Sequence, residues 1–328
     1  MKLLSMIYSR LLKLKKIGFL LYFSKLICNI LGIPNYAGVI STNLKFVINP
    51  LITIRRITHY NLNKKQFQNA KKLDQKIGFY IVKNEKLFNT NKLVSTCNTF
   101  LKKLGKQNIE NWPSIQNNGK GSKNYFYNLL TEKDLFDYPE FIEFALNKKI
   151  LSFISSYYGI TPQLCSLGLY YSKVSLDEKK GSQNWHLDGT DPKHVKFFVN
   201  ISNVTKDDGP LTFLPKDVTY RLRLKNGGIK KYAGYENREF LNTAINNHLI
   251  TLTGKPGEGG IVDTSSCLHY GSVCKKNPRI VFMCHYATHG KYTQVERNSL
   301  RDIRIYQHKE LVKKYSNNKS SRIVLSQS

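Results

Sequence analysis

One short stretch of the chain holds the residues best suited to metal chemistry. His186 and Asp188 stand two positions apart within residues 183–189. In an extended chain, side chains at i and i+2 point to the same side, so an imidazole and a carboxylate at this spacing can bind one ion. The pair alone is common, and a loop histidine beside an acid is the simpler interpretation of it.

Two other residues, which stand later in the chain, favour the metal hypothesis. His269 lies at the end of a short predicted strand, and Arg279 opens an apolar strand ten residues later. Two histidines and one carboxylate leave three positions of a metal open, as in non-haem Fe(II) oxygenases. A buried arginine keeps its charge and needs an anionic partner. The carboxylate of a cosubstrate can be that partner through a bidentate pair.

This combination resembles the Fe(II)- and 2-oxoglutarate-dependent dioxygenases, and the phytanoyl-CoA dioxygenase-like group is the most similar branch. The resemblance covers about residues 70–290 and includes the aromatic-containing run 195–204 and the Gly-Pro-Leu turn at 209–211. It implies a double-stranded β-helix core, of the jelly-roll or cupin-like type. It also implies that three residues ligate Fe(II): His186, Asp188 and His269.

The resemblance further implies how the cosubstrates are used. Arg279 would bind the distal carboxylate of 2-oxoglutarate, and Gln183 and Phe198 match positions at which some members contact this cosubstrate. The implied reaction consumes O2 and 2-oxoglutarate, releases succinate and CO2, and hydroxylates a small molecule. Asp188 favours hydroxylation over halogenation, because related halogenases carry a small residue there. Departures from the family pattern at 211 and 215–218 concern the pocket rather than the triad.

Other functions remain open from the residues alone. A non-oxidative, cupin-like metalloenzyme could use the same ligands with another metal, and a binding protein could keep the fold without turnover. The remaining histidines are predicted to be core or surface residues. Among these, His194 stands at the entry of the next strand, and His285 is also a candidate for the pocket wall.

The composition narrows the choice of partners. The formal net charge is +29, from 51 Lys and Arg against 22 Asp and Glu. Only 11 of the basic residues are Arg, and the positive charge is spread along the chain without a compact basic block, so no specific nucleic acid is expected. A small-molecule substrate is expected, and the charge favours an anionic one.

The chain begins with a strongly basic region. Residues 1–73 contain 13 Lys or Arg and no acidic residue. Residues 1–31 have the pattern of a basic amphipathic helix, which either lies on a membrane surface or packs on the enzyme body. No apolar run is long enough to span a bilayer. Six cysteines without a CxxC pair favour reduced thiols and a cytoplasmic location.

The predicted organisation is an α+β chain with N-terminal helices packed on the β core. Residues 1–62 form the basic extension, 63–290 the dioxygenase domain with its β core at about 165–290, and 291–328 a polar C-terminal tail, which is predicted to be frayed over 309–328. An insertion at 216–247 carries Arg221, Arg223 and Lys225, which alternate as on one face of a strand. This insertion is either a solvated excursion or a lid that binds an anionic substrate.

Overall fold

The computed structural model describes residues 50–64, 72–83, 86–117, 125–175, 181–188, 191, 193–225, 247–288, 303–305 and 308–325. The predicted amphipathic helix at 1–31 and most of the insertion at 216–247 lie outside these residues. Within the described ranges, every helix is too short or too polar to cross a lipid bilayer. The five cysteines that they contain are buried free thiols.

Helices make up most of the described chain before residue 160. They are α1 (Pro50–Asn63), α2 (Thr90–Leu104), α3 (Lys106–Asn117), α4 (Glu132–Asp137), α5 (Glu140–Ala145) and α6 (Lys148–Tyr158). The spacing of apolar residues explains their packing: α2 buries Leu93, Cys97 and Phe100 on one side. Helix α6 begins after Asn147, whose side chain accepts a hydrogen bond from the backbone of Lys149.

The strands form two antiparallel sheets, and most of them lie in the second half of the chain. The larger has the strand order β1-β7-β4-β9-β3-β10 with β2 also paired to β3, and the smaller has the order β6-β5-β8. The strands are β1 (Phe79–Val82), β2 (Phe126–Asn128), β3 (Gln163–Ser172), β4 (Val195–Asn200), β5 (Leu211–Phe213), β6 (Ile250–Thr251), β7 (Gly259–Asp263), β8 (His269–Gly271), β9 (Arg279–Ala287) and β10 (Ile303–Arg304). The predicted α+β class is therefore confirmed.

The two faces of the larger sheet have different neighbours. In β4, Val195, Phe197 and Val199 are buried in the main hydrophobic cluster together with the helices. Alternate residues of a strand point to opposite faces, so Lys196, Phe198 and Asn200 face the smaller sheet. Apolar residues of both sheets meet there in a separate cluster. We call the space between the two sheets the interior.

The first described helix is fixed to the body of the protein by polar contacts. Arg56 is buried, and its guanidinium donates hydrogen bonds to the carbonyl oxygens of Thr161, Pro162 and Ile323 at 3.2, 3.0 and 2.6 Å. His59 lies 2.9 Å from the hydroxyl of Thr161. The last part of the predicted N-terminal extension is thus attached to the start of β3 and to the C-terminal region.

The predicted frayed tail is wrong for residues 309–325. Helices α8 (Lys309–Tyr315) and α9 (Lys319–Leu325) pack on the main core, and β10 pairs with β3. Both helices are seven residues long and mostly polar, so their averaged composition resembles that of a tail. Each nevertheless has apolar side chains on its inner side, and the buried ones are Leu311, Tyr315, Ile323, Val324 and Leu325.

The predicted strand with alternating basic residues is also wrong. Residues Lys216–Lys225 form helix α7. Arg221 is exposed and pairs with Asp217 at 3.0 Å, one helical turn away, whereas Arg223 is buried. The two arginines therefore do not form one basic face. The other side of α7 buries Val218 and Leu222.

Candidate metal centre

Backbone pairing across the two sheets brings the predicted ligands together. His186 and His269 form an isolated antiparallel bridge with hydrogen bonds of 2.9 and 3.0 Å. The amide of Asp188 donates to the carbonyl oxygen of Thr264 at 2.9 Å, and the amide of Thr264 donates to the carbonyl oxygen of His194. The three ligand positions are thus set by main-chain contacts between segments that are distant in the sequence.

The sequence neighbours of the ligands pack on the side away from the centre. Trp185, Leu187 and Leu268 are buried in one apolar cluster with Val218 and Leu222 of helix α7. Because these residues alternate with the ligands, their burial directs His186, Asp188 and His269 to the opposite side. The sequence prediction that Leu187 points into packing is confirmed.

Each histidine is oriented by a hydrogen bond from its own neighbourhood. Nδ1 of His186 lies 2.8 Å from the carbonyl oxygen of Asn184, and Nδ1 of His269 lies 2.9 Å from that of Cys267. A carbonyl only accepts, so both Nδ1 atoms carry the proton and both Nε2 atoms are left with a lone pair. A neutral histidine that binds a metal through Nε2 must be in this tautomer.

The ligand atoms converge on a small volume. Nε2 of His186 lies 4.0 Å from Oδ1 of Asp188, and Nε2 of His269 lies 3.8 Å from Oδ2. One ligand atom from each of the three residues can be chosen so that all lie within 4.8 Å of one another. Two imidazoles and a carboxylate suit a divalent metal such as Fe(II) and leave part of its coordination sphere open. The predicted triad is therefore assembled.

The protonation states in the centre match this role. Burial lowers the pKa of His269 to about 3, and the nearby His186 adds to the effect. Burial alone would raise the pKa of Asp188, but Lys196 and the surrounding histidines outweigh it and hold that pKa well below its usual value. A neutral imidazole and an ionised carboxylate are the forms that bind metal.

Arg279 lies at the start of β9, with its side chain in the interior. It is 9% exposed, and its Cα is paired with that of Ser172 on β3. Among the described residues, no acidic group forms an ion pair with it, and its Nε has no hydrogen-bond partner. Burial lowers the pKa of Arg279, yet the guanidinium stays charged at neutral pH. Such a group fits the distal carboxylate of 2-oxoglutarate.

The two other predicted cosubstrate contacts, Phe198 and Gln183, have different surroundings. Phe198 faces the interior and packs with Tyr170, Val281 and Met283, between the levels of the triad and Arg279. Gln183 is buried in the short 3-10 turn Gly181–Gln183, just before the first ligand. Contact of either residue with the cosubstrate stays a prediction.

The fold adds three polar residues to the centre. Sequence reasoning missed Lys196, placed His194 among the core or surface histidines, and named His285 as a candidate for the pocket wall. Nζ of Lys196 lies 2.8 Å and Nδ1 of His194 lies 3.8 Å from Oδ2 of Asp188. The rings of His194 and His285 are 3.6 Å apart. The position of Lys196 between the apolar residues Val195 and Phe197 could have identified it as a residue of the interior. A lysine inside an apolar strand faces the side opposite the core.

No family model and no curated protein matches the chain. Among solved structures, EctD from S. alaskensis with 2-oxoglutarate and 5-hydroxyectoine shares 14% identity over 65% of this chain and 73% of that chain, with a TM-score of 0.40. The non-haem alpha-ketoglutarate-dependent epimerase SnoN from nogalamycin biosynthesis shares 12% identity over 74% and 82%, with a TM-score of 0.39. The non-haem monooxygenase ThoJ, as a nickel complex, shares 12% over 67% and 80%, with a TM-score of 0.36. The phytanoyl-CoA dioxygenase-like branch stays a prediction.

Proposed function

We propose that the chain is an Fe(II)- and 2-oxoglutarate-dependent dioxygenase that hydroxylates a small molecule and releases succinate and CO2. One observation carries this proposal. A two-histidine, one-carboxylate centre shares the interior with a buried arginine that no described acidic residue neutralises. A metal centre alone would fit many enzymes, but the arginine adds a place for a dianionic cosubstrate.

The arrangement of the sheets supports a double-stranded β-helix. His186 and His269 join the loop before β4 to β8 of the smaller sheet, whereas Arg279 begins β9 of the larger sheet. His269 and Arg279 thus come from strands of different sheets, and His186 and Asp188 come from the loop before β4.

Each residue then has a distinct role. His186, Asp188 and His269 would hold Fe(II), which together with 2-oxoglutarate activates O2 for attack on a C–H bond. Arg279 would orient the cosubstrate through its distal carboxylate. The apolar side chains Phe198 and Met283 would exclude water around it.

Binding and turnover can be measured without knowing the substrate. Under anaerobic conditions, Fe(II) and 2-oxoglutarate are expected to give a weak visible charge-transfer band with the wild-type protein. In air, slow substrate-independent formation of succinate is expected. Asp188→Ala is expected to abolish both signals, whereas His248→Ala, which changes an exposed histidine, is expected to leave them unchanged.

The same experiment separates the alternatives. Metal binding without a charge-transfer band or succinate would contradict the proposal and favour a non-oxidative, cupin-like metalloenzyme. A band without succinate, with no stimulation by any member of a small-molecule library, would favour a binding protein that has kept the fold. Retained succinate formation in Asp188→Ala would refute the assignment of the triad.

A further inference from the structure

A lysine contacts the carboxylate that the metal needs. Nζ of Lys196 lies 2.8 Å from Oδ2 of Asp188, and Nε2 of His269 lies 3.8 Å from the same oxygen. The side chains of Lys196 and Asp188 are 19% and 17% exposed. Among the described residues, this is the only ion pair that Lys196 forms. The ammonium group therefore depends on one carboxylate that also belongs to the metal centre.

Lys196 lies on a central strand of the larger sheet, and this fixes the position of its backbone. Strand β4 is hydrogen-bonded on both sides, and Lys196 is paired with Val262 of β7 and His285 of β9. A residue in a central strand cannot turn its side chain to solvent by local fraying. Because placing an ammonium group in such a site costs free energy, a lysine there needs a compensating anion.

A bound metal removes that compensation. Asp188 has a single negative charge, and a divalent ion between His186, Asp188 and His269 would take one of its oxygens. The ammonium group of Lys196 would then face a dication at short range, and the repulsion between the two cations would offset its attraction to the carboxylate. In the metal-bound protein, Lys196 requires a different anion.

The distal carboxylate that Arg279 would hold lies too far along the interior to pair with Lys196 as well. Arg279 and the residue paired with Lys196, His285, stand six positions apart on β9, which corresponds to about 20 Å along a strand. Asn200, on the same face of β4 as Lys196, lies toward the Arg279 end. The two cations thus occupy opposite ends of the interior face, with Phe198 between their levels.

We propose that Lys196 binds an anionic group, a carboxylate or a phosphate, of the substrate once the metal is bound, and that Asp188 holds it in the metal-free centre. This inference rests on the function proposed above and deepens it. The substrate would carry its anion on the side of the metal away from Arg279. Lys196 would thereby set which end of the substrate enters and which carbon lies next to the metal.

The first test uses Mn(II) alone. Metal-stripped wild-type protein, Lys196→Met, Lys196→Arg and Lys83→Met are titrated with Mn(II), and the free ion is measured by electron paramagnetic resonance. Removing the competing cation is expected to lower the Kd of Lys196→Met by about tenfold or more. Lys196→Arg keeps the charge and Lys83→Met changes an exposed lysine, so both are expected to stay close to wild type. An unchanged or higher Kd for Lys196→Met would overturn the proposal.

The second test uses simple anions. Protein loaded with Mn(II) and 2-oxoglutarate under argon is titrated with acetate, inorganic phosphate or neutral acetamide, and binding is read from the Mn(II) spectrum. Saturable binding of acetate or phosphate by wild type, lost in Lys196→Met and absent for acetamide, is expected. Equal binding by both proteins, or binding by neither, would overturn the proposal.

A third measurement tests whether Lys196 binds the substrate anion or the cosubstrate. If Lys196→Met weakens binding of 2-oxoglutarate as much as Arg279→Met does, the lysine serves the cosubstrate and the proposal is overturned. The metal titration needs no 2-oxoglutarate. A failure of the proposed function therefore shows as absent binding of 2-oxoglutarate, whereas a failure of this inference shows as an unchanged affinity for Mn(II).

Discussion

The backbones of His186 and His269 donate hydrogen bonds to each other's carbonyl oxygens, at 2.9 and 3.0 Å. The ring centroids are 4.2 Å apart. Because main-chain contacts set this distance, the two Nε2 atoms stay side by side without help from a metal. The centre is thus preorganised, and substitution of a ligand side chain should remove metal binding while the surrounding strands remain paired.

His269→Ala is expected to weaken Mn(II) binding by about 100-fold or more, because it removes one of three ligands, and changes to the second shell alone already cost 10- to 100-fold. Calorimetric titration measures the affinity. His248→Ala is the matched control, since that histidine is exposed. Circular dichroism should show an unchanged fold in both variants. Metal binding by His269→Ala equal to that of wild type would contradict the assigned ligand set.

Arg279→Met is expected to weaken binding of 2-oxoglutarate by about 2–4 kcal/mol, or roughly 30- to 1,000-fold, because it removes the partner of a buried carboxylate. Affinity for Mn(II) without 2-oxoglutarate should stay close to wild type. Arg279→Lys should recover little, because an ammonium group cannot make the bidentate contact. A parallel loss of metal affinity in Arg279→Met would instead indicate that the variant distorts the centre.

Arg56→Met is expected to lower the free energy of unfolding by about 2–4 kcal/mol. The buried guanidinium donates to the carbonyl oxygens of Thr161, Pro162 and Ile323, and these acceptors lose their partner. Urea unfolding measures the change. Arg55→Met, which alters the exposed neighbour on the same helix, should change stability by less than about 0.5 kcal/mol. Equal effects of the two variants would refute the anchoring role of Arg56.

Leu311→Ala tests the docking of the C-terminal helices. Leu311 is fully buried in the main cluster, so its truncation is expected to cost about 2–5 kcal/mol. Lys313→Ala, on the exposed side of the same helix, is the control and should cost little. Thermal unfolding of both variants gives the comparison. A negligible effect of Leu311→Ala would mean that this helix does not pack on the core.

Asp208 is expected to make stability depend on pH. Burial alone would raise its pKa, but hydrogen bonds from Thr205 and Asn277 outweigh it and hold the pKa of the carboxyl below its usual value. A carboxyl with a lowered folded-state pKa stabilises the fold above the unfolded-state pKa of about 3.9. This contribution is lost as the pH falls through the lower folded-state pKa.

Asp208→Asn should therefore destabilise the protein by about 1–3 kcal/mol at pH 7. The difference from wild type should shrink as the pH falls below about 4. Urea unfolding at several pH values checks both statements, with Asp207→Asn as the control because that neighbour is exposed. A difference that stays constant down to pH 2 would contradict the role assigned to the ionised carboxylate.

The metal ligands and most of the strands were predictable because they depend on local rules. A spacing of two residues directs His186 and Asp188 to one side, and the runs rich in β-branched and aromatic residues at 195–201 and 279–286 mark strands. The resemblance to a family of oxygenases then connected His269 and Arg279 to the first pair. Local geometry and a known pattern were sufficient to select the three side chains that converge, whereas the role of Arg279 stays a prediction.

The errors have a common physical cause. Arg221 and Arg223 alternate as on a strand, but Val218 and Leu222 pack against Trp185 and Leu187, and this contact favours a helix. Residues 309–325 are polar on average, but their few apolar side chains meet a core built by distant segments. In both cases tertiary burial decided the structure against the local pattern.

The sequence by itself determined which ligand types and which charge the candidate centre contains, because these are properties of single residues. Tertiary structure alone decided which other groups share the centre. Lys196 reaches Asp188, and His194 meets His285, through the pairing of β4 with β9 and the turn that holds Thr264. Such contacts follow from strand order and register, which depend on packing over the whole molecule. A lysine within an apolar strand indicates which face it lies on but not which group it meets.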